Sequence, residues 1–328
     1  MMILLSIARR GKALLSSMKI PKKAAFGTGR PWRRELVKLA CRFFLGSKRA
    51  HYHSWLPSLA ITGRSESDAG RVTFRGREVL RLAFSDALAR RAGERIVIIG
   101  SGPSVAGRDF SLLPSSSAIC LNGAISLIGS RIAEPLAVAI EDERFVWRHM
   151  DMIRNHLGRE TLCLMSPGAI RALLEIDGNW FSGRTVVLID DIRKPYGLPR
   201  RQDDELSRLP FVTLDTANRA GFSAAPDLGV FQGGSVAISA LQFALATGAR
   251  EIGFIGVDIS NANSPRFYEA DGRMAFSGIA GAEARILAHV TLARDAAEAR
   301  GVKLVNHSEV SALKSIGLPY RPLKTSAS

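Results

Sequence analysis

The sequence has few cysteines and no long apolar run, and both shortages restrict the class of protein. Only Cys41, Cys120 and Cys163 occur in 328 residues, without a Cys-x-x-Cys pair or a metal-ligand spacing. This sparse, odd count predicts a reducing compartment and argues against a disulfide framework. No stretch reaches the ~18 apolar residues of a membrane span. The apolar start, Met1–Ile7, is short and lacks a clear cleavage site, so we expect a cytoplasmic protein that is not exported.

Acidic residues are scarce in the first part of the chain. Residues 1–93 contain 20 Lys and Arg against 5 Asp and Glu, whereas residues 94–328 contain 25 of each. The formal net charge of +15 therefore lies entirely before residue 94. This change in composition marks a boundary near residue 93, and we expect a basic amphipathic segment over 1–50, an adaptor over 51–93 and the main domain over 94–328.

The basic segment contains one clear helical pattern. Apolar residues recur at helical spacing within 35–45, at Leu36, Leu39, Ala40 and Phe43. A basic amphipathic helix suits an anionic membrane surface, and we expect peripheral association with the inner face of the cell membrane. Nucleic acid is the competing partner for such charge, but we find no stacking-aromatic pattern and expect no nucleic-acid partner. A disordered basic tail is the alternative for residues 1–30.

From residue 94 the chain alternates short apolar runs with helical patterns. The predicted strands are Arg95–Gly100, Ala118–Leu121, Leu136–Ile140, Thr161–Met165, Thr185–Asp190, Glu251–Val257 and Val302–Asn306. The predicted helices are Ala124–Ile128, Glu143–Asn155, Gly168–Leu174, Ser235–Ala246 and Gly281–Ala299. This alternation predicts an α/β fold with a doubly wound, mostly parallel, Rossmann-like sheet. Elsewhere we predict a strand over Arg71–Phe74, a helix over Glu78–Arg91 and a long mobile loop or lid over 193–232.

The first predicted strand runs directly into the glycine turn Gly100-Ser101-Gly102-Pro103-Ser104. Such a turn lets the backbone bend sharply, and Pro103 suits the first turn of a helix. Free N–H groups at a helix start favour phosphate. A dinucleotide fingerprint would need a third glycine where Val105 stands, so a nucleotide or sugar nucleotide is favoured over NAD. A structural turn without a ligand is the alternative.

Further polar residues follow other predicted strands or precede a helix. They are Asn122, the acidic cluster Glu141-Asp142-Glu143, Gly234 with Ser235, and Asp258. Each has an ordinary structural interpretation as a turn, a cap or an acidic helix start. Because parallel sheets bind ligands at the carboxyl ends of their strands, their combination at one edge favours a binding site.

These motifs resemble a known family. The ordered set IVIIGSGPS, CLNGA and VFQGGSVAISALQFALATGAREIGFIGVD resembles the bacterial CMP-sialic-acid-dependent sialyltransferases. The same frame resembles flagellin nonulosonate transferases and archaeal 6-hydroxymethylpterin diphosphokinases. The terminal VKLVNHSEVSAL is similar to the last strand of that group, so the resemblance covers roughly residues 94–317.

The resemblance implies which residues contact a cytidine donor. Contacts would come from the glycine turn, with Ser101 where the family has Asn, and from Asn122, the region of Glu141 and Asp142, and Gly234 with Ser235. Arg266 or Tyr268 would steady the leaving phosphate of CMP. The general-base histidine of the family has no counterpart, because its place falls near Ala284. We therefore assign base catalysis to Glu141 or Asp142, with His307 as a further candidate because it follows a strand.

Together these features predict a CMP-sugar-dependent glycosyltransferase. The donor would carry sialic acid, another nonulosonate or Kdo, and the acceptor would be a lipid-linked surface glycan such as a lipopolysaccharide core. The reaction as predicted needs no further cofactor and no metal, because no Asp-x-Asp motif is present. The alternatives are a pyrophosphokinase of the pterin type, which would need ATP and Mg²⁺, and a non-catalytic nucleotide-binding envelope protein.

Overall fold

A computed structural model of the chain describes residues 31–258, 267 and 282–323. The strands in these ranges are β1 (Leu59–Thr62), β2 (Arg71–Phe74), β3 (Arg77–Arg81), β4 (Arg95–Ile99), β5 (Ala118–Leu121), β6 (Ala137–Ile140), β7 (Cys163–Met165), β8 (Val186–Leu188), β9 (Val212–Asp215), β10 (Ala220–Ser223), β11 (Glu251–Ile255) and β12 (Lys303–Asn306). The α-helices are α1 (Trp32–Arg49), α2 (Tyr52–Trp55), α3 (Asp86–Ala89), α4 (Glu143–His156), α5 (Pro167–Ile176), α6 (Asp203–Leu206), α7 (Val236–Leu245) and α8 (Glu283–Glu298).

Seven strands form one parallel sheet in the order β12-β11-β4-β5-β6-β7-β8. The chain starts at β4, moves outward to β8, and then returns to the other side of β4 with β11 and β12. The direction of winding therefore reverses between β4 and β11, where doubly wound sheets open a crevice at the carboxyl ends of the strands. The predicted fold class and all seven predicted strands are confirmed, with shifts of one or two residues at their ends.

Each face of this sheet is covered by its own hydrophobic core. Along β4, Ile96 and Ile98 pack into the core under α7 and α8, whereas Val97 and Ile99 pack into the core under α4 and α5. All four side chains are fully buried. Alternate residues of a strand point to opposite faces, so a sheet covered on both sides needs continuous apolar strands. This is why the run IVII predicts a central strand.

A small antiparallel sheet precedes the large one, with the order β1-β2-β3. Arg75 and Gly76 join β2 to β3 and both have positive φ, which is the backbone of a two-residue hairpin turn. The predicted helix over Glu78–Arg91 is therefore wrong in its first part, which forms β3, and only Asp86–Ala89 is helical. Pairing with β2 overrode the helical spacing of the apolar residues.

The small sheet packs onto the large one. Val72, Phe74 and Leu80 belong to the same hydrophobic core as Val97 and Ile99. The segment that follows β3 then lies beside the edge strand β8, where the Ala83 N–H donates to the Val186 carbonyl over 2.8 Å. Most of the predicted adaptor is thus part of the packed structure.

The segment 193–232, predicted as a long mobile loop or lid, is not irregular throughout, because it contains α6 and the antiparallel hairpin β9–β10. At the start of α6, Gln202 and Glu205 form a reciprocal capping box. The buried side chain of Gln242 on α7 accepts hydrogen bonds from the Ser223 and Phe231 N–H groups. These bonds tie the segment to the helix that follows it.

Candidate functional site

The parallel topology places most of the predicted site residues along one edge of the sheet. Following the strand order, polar residues after β12, β11, β4, β5 and β6 are Ser308, Asp258, Ser101 with Ser104, Asn122, and Glu141 with Asp142. Helix α7 packs against β4, β5, β6 and β11, and its amino end carries Gly234 and Ser235. Arg266 and Tyr268 lie outside the described residues.

The glycine turn after β4 packs against the loop after β11. A Cβ at Gly100 would collide with the carbonyl oxygen of Gly256, and a Cβ at Gly102 would collide with the Asp258 carboxylate. Asp258 accepts hydrogen bonds from the Ser104 N–H and the Ser104 hydroxyl, both over 2.7 Å. The close approach of two loops is therefore sufficient to explain both glycines.

The helix that we expected to begin at Pro103, after the glycine turn, is much shorter in the structure. Only Pro103–Val105 is helical, as a single 3₁₀ turn. The Ser104 N–H, which belongs to this turn, donates to the Asp258 carboxylate. A phosphate at this position would have to displace that carboxylate, and ligand contacts by the turn and by Asp258 stay predictions.

Ser308 is a component of this edge that the sequence analysis missed. Its fully buried hydroxyl lies 2.8 Å from the Ser104 hydroxyl and accepts the Gly256 N–H over 3.0 Å. The residue stands in VNHSE, directly after His307, whose imidazole is the more reactive side chain. No local pattern distinguishes a serine that bridges two loops from one that caps a turn.

His307 itself faces a different environment. Its Nδ1 lies 2.8 Å from the Arg321 carbonyl oxygen, and its Nε2 lies 3.4 Å from the Arg95 guanidinium. The ring packs against Gly253 in the middle of β11, where any Cβ would come within 2.7 Å of it. Burial, and to a lesser extent Arg95, lower the pKa of His307. The ring thus lies over the face of the sheet, and its catalytic role stays a prediction.

Asn122 begins the segment after β5 in a left-handed conformation, with φ of 44°. The predicted helix over Ala124–Ile128 is instead a 3₁₀ segment over Asn122–Leu127. The Oδ1 atom of Asn122 is buried and has no hydrogen-bond partner in the described part of the chain. Because a buried acceptor without a donor costs ~1–3 kcal/mol, this atom marks a place where a ligand N–H or O–H would be stabilising.

Glu141 is a predicted catalytic residue whose pKa is strongly raised in the folded protein. Its Oε1 accepts a weak hydrogen bond of 3.4 Å from the hydroxyl of Ser239, a fully buried residue of α7. Although part of the residue is accessible, burial of the carboxyl raises its pKa to about 8, and the negative charges of Asp191 and Asp142 act in the same direction. A carboxyl that titrates near neutral pH can take or give a proton during a reaction.

Asp142 has a structural task in addition to the predicted catalytic one. It is the N-cap of α4 and accepts the Arg144 N–H over 2.9 Å. Its carboxylate also pairs with the Arg144 guanidinium at 2.6 Å. The interpretation of this cluster as an acidic helix start is confirmed, and Glu141 is the carboxyl with the better chemistry for proton transfer.

The amino end of α7 forms the second part of the site. Ser235 is its N-cap and accepts the Ala237 N–H over 3.3 Å, as predicted. Gly233 and Gly234 both have positive φ, and Arg285 from α8 donates to the Gly233 carbonyl over 3.2 Å. A Cβ at Gly234 would lie 2.6 Å from the Arg285 guanidinium. A cation therefore lies over a helix start, an arrangement that attracts anions.

Neither Arg285 nor Ser239 was predicted from the sequence: Arg285 stands in an ordinary helical pattern, and Ser239 lies within the motif that follows Ser235, where nothing local marks it as a partner of Glu141. Both are distant in sequence from the residues they contact, which are Glu141 for Ser239 and Gly233 for Arg285. Within the described ranges, no group of three or more His, Cys, Asp or Glu is arranged to hold a metal ion.

Comparisons with known proteins give two similar structures. No family model matches the chain, and no curated protein matches it. The sialyltransferase CST-II in complex with trisaccharide acceptor and CMP is 12% identical, with a TM-score of 0.39, covering 71% of this chain and 89% of that one. The sialyltransferase CstII from Campylobacter jejuni with a substrate analogue, cytidine-5′-monophosphate, is 14% identical, with a TM-score of 0.34, covering 68% and 84%.

Proposed function

We propose that this chain is a glycosyltransferase that moves an acidic sugar from a CMP-activated donor to a glycan acceptor. The observation that carries the proposal is the buried, unpartnered Oδ1 of Asn122 at the carboxyl edge of the sheet. The exocyclic amino group of cytosine is a donor that would satisfy this acceptor. The motif set that resembles the CMP-sugar-dependent transferases supports cytidine over other amino-bearing bases.

Glu141 is the proposed general base. The acceptor hydroxyl oxygen attacks the anomeric carbon and forms the new glycosidic bond. The bond from the anomeric carbon to the phosphate oxygen breaks, its electron pair leaves with CMP, and the hydroxyl proton passes to the Glu141 carboxylate. A carboxylate whose conjugate acid has a pKa of about 8 is a stronger base than an ordinary glutamate.

The amino end of α7 is the proposed site for the leaving phosphate. The positive end of the α7 dipole, the Ser235 hydroxyl and the Arg285 guanidinium all favour the negative charge that develops on CMP. Ser239, one turn further along α7, contacts Glu141. The same helix would thereby connect the phosphate site to the base.

The donor class and the acceptor follow from the resemblance in the sequence. Sialic acid, another nonulosonate or Kdo would fit as the sugar, and a lipid-linked glycan such as a lipopolysaccharide core would fit as the acceptor. The proposed displacement requires no metal ion, since the positive end of a helix and a guanidinium take its electrostatic role.

A thermal-shift screen with CMP, CDP, UDP, ATP and NAD tests the proposal. A ligand that binds only the folded state stabilises it by about 2.7 kcal/mol at 100 times its Kd, so CMP is expected to raise the melting temperature selectively. Stabilisation by ATP or NAD without any response to cytidine nucleotides would refute the proposal.

Turnover assays then locate the base. Glu141→Gln is expected to abolish transfer while CMP still raises the melting temperature, because the amide cannot accept the proton as a carboxylate does. Loss of transfer in His307→Ala, with full activity in Glu141→Gln, would move the role of base to His307.

A further inference from the structure

Exposed apolar side chains are concentrated on α1. Of the nine large apolar residues that are exposed in the described ranges, five belong to this helix. Four of them share one face and define the α1 stripe: Trp32, Leu36, Leu39 and Phe43, with exposed fractions of 41%, 54%, 65% and 82%. Their spacing of three or four residues is that of a continuous helical face.

The opposite face of α1 is fixed to the protein. Its buried residues are Arg34 and Cys41, seven positions apart and therefore on one side of the helix. The Arg34 guanidinium forms ion pairs with Glu143 and, over 2.8 Å, with Glu175, and it also lies over the Trp147 ring. The Glu143 side chain is buried and that of Glu175 is only 9% exposed, so the α1 stripe is held facing away from the rest of the molecule.

The charge around the stripe indicates what covers it. Within α1, Glu35 is the one acidic residue, against six basic ones. The first 50 residues contain 13 Lys and Arg against that single glutamate. A second copy of the chain would bring two strongly positive surfaces together, and a nucleic acid would leave the apolar side chains in water. An anionic lipid surface satisfies both the charge and the apolar stripe.

We propose that α1 docks on an anionic lipid surface through the α1 stripe. A tryptophan at one end of an apolar helical face, with basic residues on its flanks, is the composition of a helix that lies in the plane of the interface. None of the helices in the described ranges combines the length and apolarity that crossing a bilayer requires. Docking would thus hold the protein at the surface of the membrane.

The anchor of α1 also determines which part of the protein approaches the lipid. Glu143, the partner of Arg34, directly follows Glu141 and Asp142 at the carboxyl end of β6. The docked helix would therefore bring this edge of the sheet to the membrane. If the proposed function holds, this is where a lipid-linked acceptor would be presented, but docking itself requires neither CMP nor turnover.

Vesicle flotation with the full chain tests the docking. Vesicles contain phosphatidylcholine alone or mixed with phosphatidylglycerol. The test variant is the double substitution Leu36→Ser and Phe43→Ser, and the matched control is Leu198→Ser with Leu228→Ser, which removes apolar side chains exposed to 54% and 51% elsewhere. Losing the burial of each stripe residue is expected to weaken partitioning by about tenfold, whereas the control should bind like the wild type.

Several outcomes would overturn the proposal. Equal flotation of the stripe variant and the wild type would exclude the stripe, and equal binding to both vesicle types would exclude the role of charge. A dimer that becomes a monomer in the stripe variant, without vesicle binding, would make the stripe a self-association surface. Salt-sensitive RNA binding without vesicle binding would assign the charge to nucleic acid.

Tryptophan fluorescence gives a second readout, which uses the wild type and one conservative variant. Brominated lipids in the anionic vesicles should quench the wild-type emission, because Trp32 would lie among the acyl chains. Trp32→Phe should still float with the vesicles and lose most of the quenching. Undiminished quenching in Trp32→Phe would show that another surface meets the lipid.

Discussion

Replacing Glu141 by glutamine is expected to stabilise the protein, and to do so only above mildly acidic pH. The folded state keeps this carboxyl protonated up to a pKa of about 8, whereas the ordinary value is 4.5. Between these values the folded state binds more protons than the unfolded state, so the free energy of unfolding falls as the pH rises. Glutamine has no proton to lose and keeps an oxygen that can accept from Ser239.

The magnitude follows from the interval between the two pKa values. Each pH unit contributes about 1.4 kcal/mol, so the interval from 4.5 to about 8 corresponds to ~5 kcal/mol as an upper bound. The variant should gain several kcal/mol over the wild type once the pH exceeds 8. Near pH 4.5 the two proteins should be almost equally stable.

Urea unfolding of both proteins across this pH range measures the difference directly. Asp151→Asn, on the exposed side of α4, is the matched control and should show no comparable gain. A stability difference between Glu141→Gln and the wild type that does not grow with pH would refute the reasoning. It would mean that the Glu141 carboxyl is hydrated in the folded protein and poorly suited as the proposed base.

Two further predictions concern the ligand site and the loops around it. Asn122→Ala and Ser235→Ala should each weaken CMP binding by roughly two- to tenfold, the equivalent of a hydrogen bond worth ~0.5–1.5 kcal/mol. Ser235→Ala also removes the cap of α7, which should cost about 1 kcal/mol of stability, so affinity is compared on the folded proteins. Isothermal titration calorimetry measures this, and wild-type affinity in both variants would place the nucleotide elsewhere. Asp258→Ala and Ser104→Ala should each destabilise the fold and show a coupling of ~1–3 kcal/mol in a double-mutant cycle of urea unfolding, because two hydrogen bonds join these residues. Strictly additive effects would contradict the contact between the two loops.

The architecture could be predicted from the sequence because its signals are local. A buried parallel strand needs a short run of apolar residues, and a crossover helix needs an apolar face, so IVII before the glycine turn and VAISALQFAL after Ser235 each predict their own element. The cap at Ser235 is likewise a property of one residue and the two that follow it.

Such local signals did not predict the pairing of strands in the β2–β3 and β9–β10 hairpins. The spacing of apolar residues after Glu78 is compatible with a helix, and only the presence of β2 alongside makes β3 the more stable choice. The segment 193–232 appeared irregular because its hairpin is short and is stabilised by Gln242, a residue of the next helix. The stability of both elements depends on contacts with residues distant in sequence.

For the residues at the carboxyl edge of the sheet, the sequence likewise predicted their positions but not their roles. The sequence by itself determined that polar residues follow several strands, because strand ends are local features and parallel strands align those ends. Only the tertiary structure decided what each residue does there: Asp258 joins two loops, Asp142 caps a helix, and the carboxyl of Glu141 is buried against Ser239. Hydrogen bonds and desolvation depend on neighbours brought together by folding, and a pKa of about 8 is a property of that environment and not of the glutamate alone.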